Sequence, residues 1–321
     1  MILTVTLNAA LDVTYQAPGI DWNGVNRVSA VHRRAGGKGV NVARVLAALG
    51  QEVLVTGLAG GPTGRAIEAD LRAAGLPTAL CPIAADSRTT LAICETTTPV
   101  TPDVATPEAT PGVAGGGRTA LFNEPGPEVT PDEVQNFLTT YETLLTSAHV
   151  VVISGSHPRG IPADFYATLA AVAAGKGVPA IVDADGDPLR HAPKGRPRVL
   201  KPNADELARA VPGGGTPAEG ARALRGRGAQ AVVVSMGAEG LLAVTEEGTF
   251  TARMPYAVQG NPTGAGDALV AGLALGLLES SPWPDTLRRA AALGAAAVAA
   301  PVAGDFDRDV YAAIHPHIVI T

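Results

Sequence analysis

Apolar and polar positions along this chain follow two rhythms. Short β-branched and aliphatic runs, LTVTL at residues 3–7 and EVLVTGLAG at residues 52–60, are each followed by a stretch with helical spacing, about Val40 to Leu49 and Thr63 to Ala74. Such alternation predicts βαβ units and a parallel sheet. The second half repeats the pattern. Thr130 to Glu133 reads as a capping box with proline at the first helical position, opening a helix to about Thr146. HVVVISG, a helix from about Ala163 to Ala174, PAIVDAD, RVLKPN, a helix from Ala204 to Ala210, a second capping box at Thr216 to Glu219 and QAVVVSMG come next. The runs VVVIS, AIVDA and AVVVS are apolar at consecutive positions, as strands covered on both faces must be. The expected architecture is α/β, a doubly wound and mainly parallel sheet with helices on both faces. Gly240 to Met254 reads as a hairpin turning at Glu246 to Gly248, and the chain reads as helical from Gly264 onward.

Other stretches break this rhythm. Asp12 to Val31 alternates loosely without a helical period, and Thr89 to Glu95 and Thr119 to Asn123 are strand-like. Together they supply four short strands for a small second sheet. Between the last two, residues 96–117 are rich in Thr, Pro and Gly and cannot bury a core, so a flexible insert is expected there.

Composition narrows the partners. The 321 residues carry a formal charge of -6 with no Lys/Arg block, which argues against a nucleic-acid or anionic-membrane surface and for a small-molecule partner. The apolar runs 268–278 and 290–302 fall short of the ~20 residues a membrane span requires. The two cysteines, Cys81 and Cys94, lack CxxC spacing, and MILTVTLNAALD has no basic segment before its apolar residues. Reduced thiols and a cytoplasmic location are the expectation.

Several catalytic patterns are absent. A Walker A loop would need glycine where His32 stands and Ser or Thr where Gly39 stands; no GxGxxG follows the first strand, no HExxH occurs, and Ser156-His157 is not a GxSxG elbow. His315 and His317 read more readily as surface residues than as a metal site. Five stretches remain. AGGKGVN (35–41) offers close backbone approach at Gly36, Gly37 and Gly39, with Lys38 and Asn41 as donors, or else is a Gly-rich turn. Asn8 to Asp12 ends the first strand, at the edge where open α/β sheets bind ligands. In KPNADE (201–206), Asn203 and Glu206 form either an oxygen pair suited to hydrated Mg²⁺ or a capping box. SMGAEG (235–240) is a phosphate-holding loop or an ordinary turn. NPTGAGD (261–267) sets Asp267 in the first turn of a helix, where it serves the helix dipole or a proton transfer beside a bound anion.

In their order along the chain these stretches resemble the ribokinase-like carbohydrate kinases, over essentially the whole length. NPTGAGD with Gly272 is similar to that family's C-terminal signature, and Asn203-x-x-Glu206 to its NxxE element. LNAALD, AGGKGVNVARVLAALG, NEPGPEVT, VVISGSHPRG, KPNADEL and VVVSMGAEG resemble the branch of fructose-1-phosphate kinase, tagatose-6-phosphate kinase and the minor bacterial phosphofructokinase. The resemblance implies one α/β domain spanning residues 1–321, with a β-sheet lid formed by about 12–33 and 88–124. It implies ATP and Mg²⁺ as cofactors, a homodimer through the lid, and fructose 1-phosphate phosphorylated to the 1,6-bisphosphate. Alternatives are a tagatose-6-phosphate or fructose-6-phosphate kinase or, in another class, an inactive sugar-phosphate and nucleotide binder.

The resemblance also implies roles. Asp267 is the general base, and the amides of Gly264, Ala265 and Gly266 hold the transferring phosphoryl group. Asn203 and Glu206 position Mg²⁺ through water, while Lys201, Ser235, Gly237 and Gly240 line the nucleotide side. On the sugar side stand Asp12, Asn41, Gly36 and Gly37, with Lys38, Arg88 and Arg27 for the phosphate already on the substrate. The chain departs from the branch at Ala9, at His157 and Arg159 in SGSHPRG, and in the 96–117 insert.

Overall fold

The computed structural model describes residues 1–95 and 119–321; the expected insert at 96–117 lies outside the described residues. Elements are numbered in chain order. Seven strands of the large sheet run parallel: β1 (Ile2–Thr6), β4 (Val53–Gly60), β5 (Thr78–Ile83), β8 (Val150–Ser154), β9 (Ala180–Asp183), β10 (Val199–Leu200) and β11 (Val232–Ser235). Three antiparallel strands, β12 (Leu241–Val244), β13 (Thr249–Arg253) and β14 (Val319–Ile320), extend it, giving the order β14-β13-β12-β11-β10-β9-β8-β1-β4-β5. The small sheet has the order β3-β2-β6-β7, from β2 (Ala10–Ala17), β3 (Ala30–Gly36), β6 (Arg88–Glu95) and β7 (Thr119–Asn123). Its β2 pairs antiparallel with β3 and parallel with β6.

The unbroken apolar strands produce two cores, because successive side chains point to opposite faces. Val150 and Val152 pack with α1 (Lys38–Ala48), α2 (Gly61–Ala73), α8 (Ala265–Leu278), α9 (Trp283–Val298) and α10 (Arg308–Ile314). Val151 and Ile153 pack on the other face with α3 (Pro131–Leu144), α4 (Phe165–Gly175), α5 (Gly186–His191), α6 (Ala204–Ala210) and α7 (Pro217–Gly226). All three N-terminal boxes form: Thr130 with Glu133, Thr216 with Glu219 and Asn203 with Glu206 each bond reciprocally.

The small sheet forms with four strands, but β3 meets the expected Asp12 to Val31 stretch only at Ala30 and Val31 and runs on through Gly36, so part of the Gly-rich stretch is strand and not turn. Helix α1 then starts at Lys38, two residues before the periodicity suggests, since glycines carry no hydrophobic signal. The segment after Gly264 is not helical throughout, as β14 returns to close the sheet edge on β13. A two-residue strand is too short to show a period. Strand β5 and helix α5 also escape the pattern, the one because Pro82 interrupts it and the other because it is six residues long.

Candidate active site

The carboxyl ends of the central parallel strands bring charged residues together. Asp183 ends β9, is 1 % exposed, and accepts a hydrogen bond from the Ser154 hydroxyl at the end of β8, 3.0 Å away. Lys201, directly after β10 and equally buried, places its Nζ 3.3 Å from Asp183 Oδ1. Lys38, the first residue of α1, reaches the same carboxylate at 3.6 Å and Glu206 Oε1 at 3.9 Å. Burial alone would raise the Asp183 pKa, but the two ammonium groups and the Ser154 hydroxyl outweigh it and hold the carboxyl below its ordinary range. Lys38 is correspondingly raised, chiefly by Asp183.

Asp267 faces this cluster from the first turn of α8. Gly264 caps that helix at φ 88°, a conformation that strains any other residue, and a side chain there would lie 2.9 Å from the Ala303 Cα. The absent side chain of Gly266 keeps the helix end open toward Lys201, whose Nζ would sit 3.6 Å from a Cβ at that position. Asp267 Oδ2 accepts from Asn41 Nδ2 at 2.8 Å. Burial, with repulsion from Asp183 added, pushes the Asp267 carboxyl up to about 7, against the opposing pull of Asn41, Lys38 and Lys201. A carboxylate with that pKa, at the positive end of a helix and beside two ammonium groups, can take a proton near neutral pH while an anion is bound next to it.

Asn203 and Glu206 satisfy both of their sequence readings in part. Glu206 Oε2 accepts from the Asn203 amide at 2.8 Å, and the Glu206 amide donates to Asn203 Oδ1 at 2.8 Å, so the capping box is made. Glu206 Oε1 is left facing Lys38. No group of three or more His, Cys, Asp or Glu able to hold a metal occurs among the described residues. Beyond Asn203 opens a cavity of about 360 Å³ whose wall includes Asn203, Asp205, Ser235, Met236, Gly237 and Glu239. Gly240 does not line it; a Cβ there would meet the Ala252 carbonyl at 2.0 Å, so this glycine serves the turn into β12.

On the other side, Asp12 in β2 accepts a hydrogen bond from the Thr90 hydroxyl and has its pKa raised by burial. A Cβ on Gly36 would lie 1.8 Å from Asp12 Oδ2, so the glycine makes room for that carboxylate. Gly37, at φ 109°, turns the chain from β3 into α1. Arg88 donates from Nε to the Asn8 carbonyl at 3.2 Å, and the Asn8 amide donates to Ser156 Oγ at 3.0 Å. The three cations expected at one phosphate make different contacts: Lys38 faces Asp183 and Glu206, Arg88 stands by Asn8, and Arg27 is exposed between β2 and β3 with no ion pair or hydrogen bond among the described residues. Asn41, expected at a sugar hydroxyl, turns its amide nitrogen onto Asp267.

His157 packs edge-on against Tyr166, with ring centroids 4.2 Å apart, and Arg159 turns to Glu128 at 3.6 Å. Sequence reasoning missed Asp183 and Ser154, at the centre of the cluster. The available signal was a polar residue ending an otherwise apolar strand run, in IVD and in VVVIS.

Comparisons with known proteins agree with this fold. The chain matches the model of the pfkB family of carbohydrate kinases over residues 5–110 and 113–307. It is similar to phosphofructokinase-2 of Escherichia coli in complex with fructose-6-phosphate, at 28% identity over 98% of both chains with a TM-score of 0.81. The tetrameric inhibited form of that enzyme matches at the same identity and coverage with a TM-score of 0.84. A "possible 1-phosphofructokinase" of Thermotoga maritima is 26% identical, over 100% of this chain and 98% of the other, with a TM-score of 0.84. Sugar kinases of this family use ATP, and with its family model matched over nearly its whole length this chain belongs to the pfkB family of carbohydrate kinases.

Proposed function

We propose that this kinase transfers the γ-phosphoryl group of ATP to a ketohexose phosphate, with fructose 1-phosphate giving fructose 1,6-bisphosphate. The observation that carries it is Asp267: buried, raised to about 7 and held by Asn41 at the start of α8. Its carboxylate takes the proton of the attacking sugar hydroxyl as the oxygen bonds to the γ-phosphorus and ADP leaves. The amides of Gly264, Ala265 and Gly266, with Lys201 beside them, hold the charge on the moving phosphoryl group. Asp183 fixes Lys201 and Lys38 in place for that task.

Glu206 Oε1, which the helix cap leaves unused, would hold a hydrated Mg²⁺ through water, whereas Asn203 Oδ1 is committed to the cap. Bound with the nucleotide, such an ion would neutralise phosphate charge. The cavity of Ser235, Gly237 and Glu239 suits the nucleotide. Asp12 and Gly36 suit sugar hydroxyls, and Arg88 suits the phosphate already present, for which guanidinium geometry is apt.

A second reading, fructose 6-phosphate as acceptor, draws on the likeness to the E. coli enzyme in its fructose-6-phosphate complex. The small sheet acts in this proposal as a lid over the sugar that excludes water. The exposed Leu121 and Phe122 of β7, with Trp22 and Val25 in the β2–β3 connection, support pairing with a second copy of the chain. Steady-state ATP turnover against fructose 1-phosphate, fructose 6-phosphate, tagatose 6-phosphate and the neutral ketohexoses tests the substrate. Fructose 1-phosphate should have the highest kcat/KM, and preference for a neutral sugar would refute the sugar-phosphate class.

A further inference from the structure

The other edge of the large sheet carries a second cavity, of about 220 Å³. Its apolar wall comes from Ala170 and Ala174 of α4 with Val178, Pro179 and Ala180 leading into β9; its polar wall is Arg196, Arg198 and Gln230. Since β9 begins at Ala180 and ends at Asp183, the cavity lies about 10 Å from the reaction centre along the strand, at the opposite end. Neither the phosphoryl chemistry nor the nucleotide cavity makes use of it.

The polar wall is built for negative charge. Arg198 is held by Glu246 at 2.7 Å and by Gln230 Oε1 at 3.3 Å, with its guanidinium carbon 5.9 Å from the centre of the Trp283 ring. Arg225 donates from Nε to the Gln230 carbonyl at 2.9 Å. Arg196 brings a third guanidinium, exposed and without an ion pair or side-chain hydrogen bond among the described residues. Arg198 and Arg225 thus both act on one carboxylate, Glu246, and Arg196 adds to the cavity wall a cation with no ion pair among the described residues.

Arg196 also sits at φ 55° and ψ 47°, the left-handed region that an arginine enters only at a cost. Ser280 is the other residue besides glycine with positive φ among the described residues. At a helix end with this conformation glycine is the low-cost residue, and here glycine stands one position earlier. Gly195 is there for a separate reason, because a Cβ would meet the Ala167 carbonyl at 2.1 Å. The chain carries a strained arginine where a glycine would relax it, and that arginine edges a cavity with an excess of positive charge.

We propose that this cavity binds a small organic acid, with its anionic head on Arg196 and its short apolar body against Ala170, Ala174, Val178 and Pro179. One free guanidinium matches one carboxylate, and the alanine and proline wall gives no partner to further polar groups. The inference stands independently of which sugar the kinase uses.

The test is a saturation titration of the full chain with sodium butyrate and, separately, sodium phosphate, read as melting temperature against sodium chloride at matched ionic strength. Butyrate should raise the melting temperature saturably, and Arg196→Gly should weaken that response by about tenfold or more, the loss expected for a charge-assisted hydrogen bond. Arg196→Gly relieves the left-handed backbone, so without ligand it should melt at or above the wild type. Arg196→Asn, which also tolerates this conformation, should lose the butyrate response in the same way. Absence of a saturable butyrate response, or an equal response in both variants, would overturn the proposal. So would an Arg196-dependent response to phosphate alone, which would remove the apolar body from the ligand.

Discussion

The two sheets treat charge in opposite ways. At the carboxyl edge of the large sheet, Asp183, Lys201 and Asp267 are almost wholly buried and bind one another or Asn41. In the small sheet every residue of β6 is half-buried, and Asp12 has one hydrogen bond, from the Thr90 hydroxyl, with arginines acting on it only through their charge. Low dielectric strengthens the first set and leaves the second dependent on what covers it. The large sheet therefore supplies preformed electrostatics, and in the function proposed the small sheet would supply contacts that a bound sugar completes.

The strongest way to break that contrast is at Asp267. Asp267→Asn should lower kcat by about 10³-fold, within the range for losing a general base, while ATP binding measured by calorimetry persists. In the wild type, kcat/KM should rise with pH to a plateau above about 7. The stability effect has the opposite sign. Because burial raises the folded pKa above the ordinary value of 3.8, the native state keeps a proton that the unfolded chain releases, and stability is lost as pH rises from about 4 through about 7. Asp267→Asn should accordingly melt above the wild type at pH values higher than 7, and a pH series of melting curves checks this.

Next in size is Asp183→Ala. It leaves Lys201 buried without its counter-charge and should cost about 3–5 kcal/mol in denaturant unfolding. Asp12→Ala in the small sheet should behave differently, raising the sugar KM by about tenfold, as expected for one hydrogen bond to a charged group, with little change in unfolding free energy. Smallest for the single chain are Leu121→Ser and Phe122→Ser, which should change its stability by no more than about 0.5 kcal/mol. Sedimentation at graded concentrations should show a larger effect on association, and unchanged association in both variants would argue against pairing through this face.

What the sequence revealed differs between the two regions for the same physical reason. VVVIS and AIVDA announce buried parallel strands because every position is apolar, and Thr130, Asn203 and Thr216 announce helix starts because capping is local. The small sheet was legible only as a break in rhythm, since half-buried strands have weak patterns. Asp267 could be picked out from its glycines. Asp183 ends an apolar run but did not stand out, because its importance lies in Lys38 and Lys201, which are distant in sequence and meet it only once three elements are folded together. For Lys38, expected at a phosphate, the fold adds carboxylate partners, Asp183 and Glu206, that no local pattern announced.

The carboxylate of Glu206 divides its two oxygens between a helix start and the reaction centre. Any ligand that draws on Oε1 therefore pulls against, or tightens, the Oε2 bond to the Asn203 amide. Occupancy of that centre should be felt in the first turn of α6 through one side chain, so the chemical shift of the Asn203 amide proton should change when a nucleotide with Mg²⁺ is added.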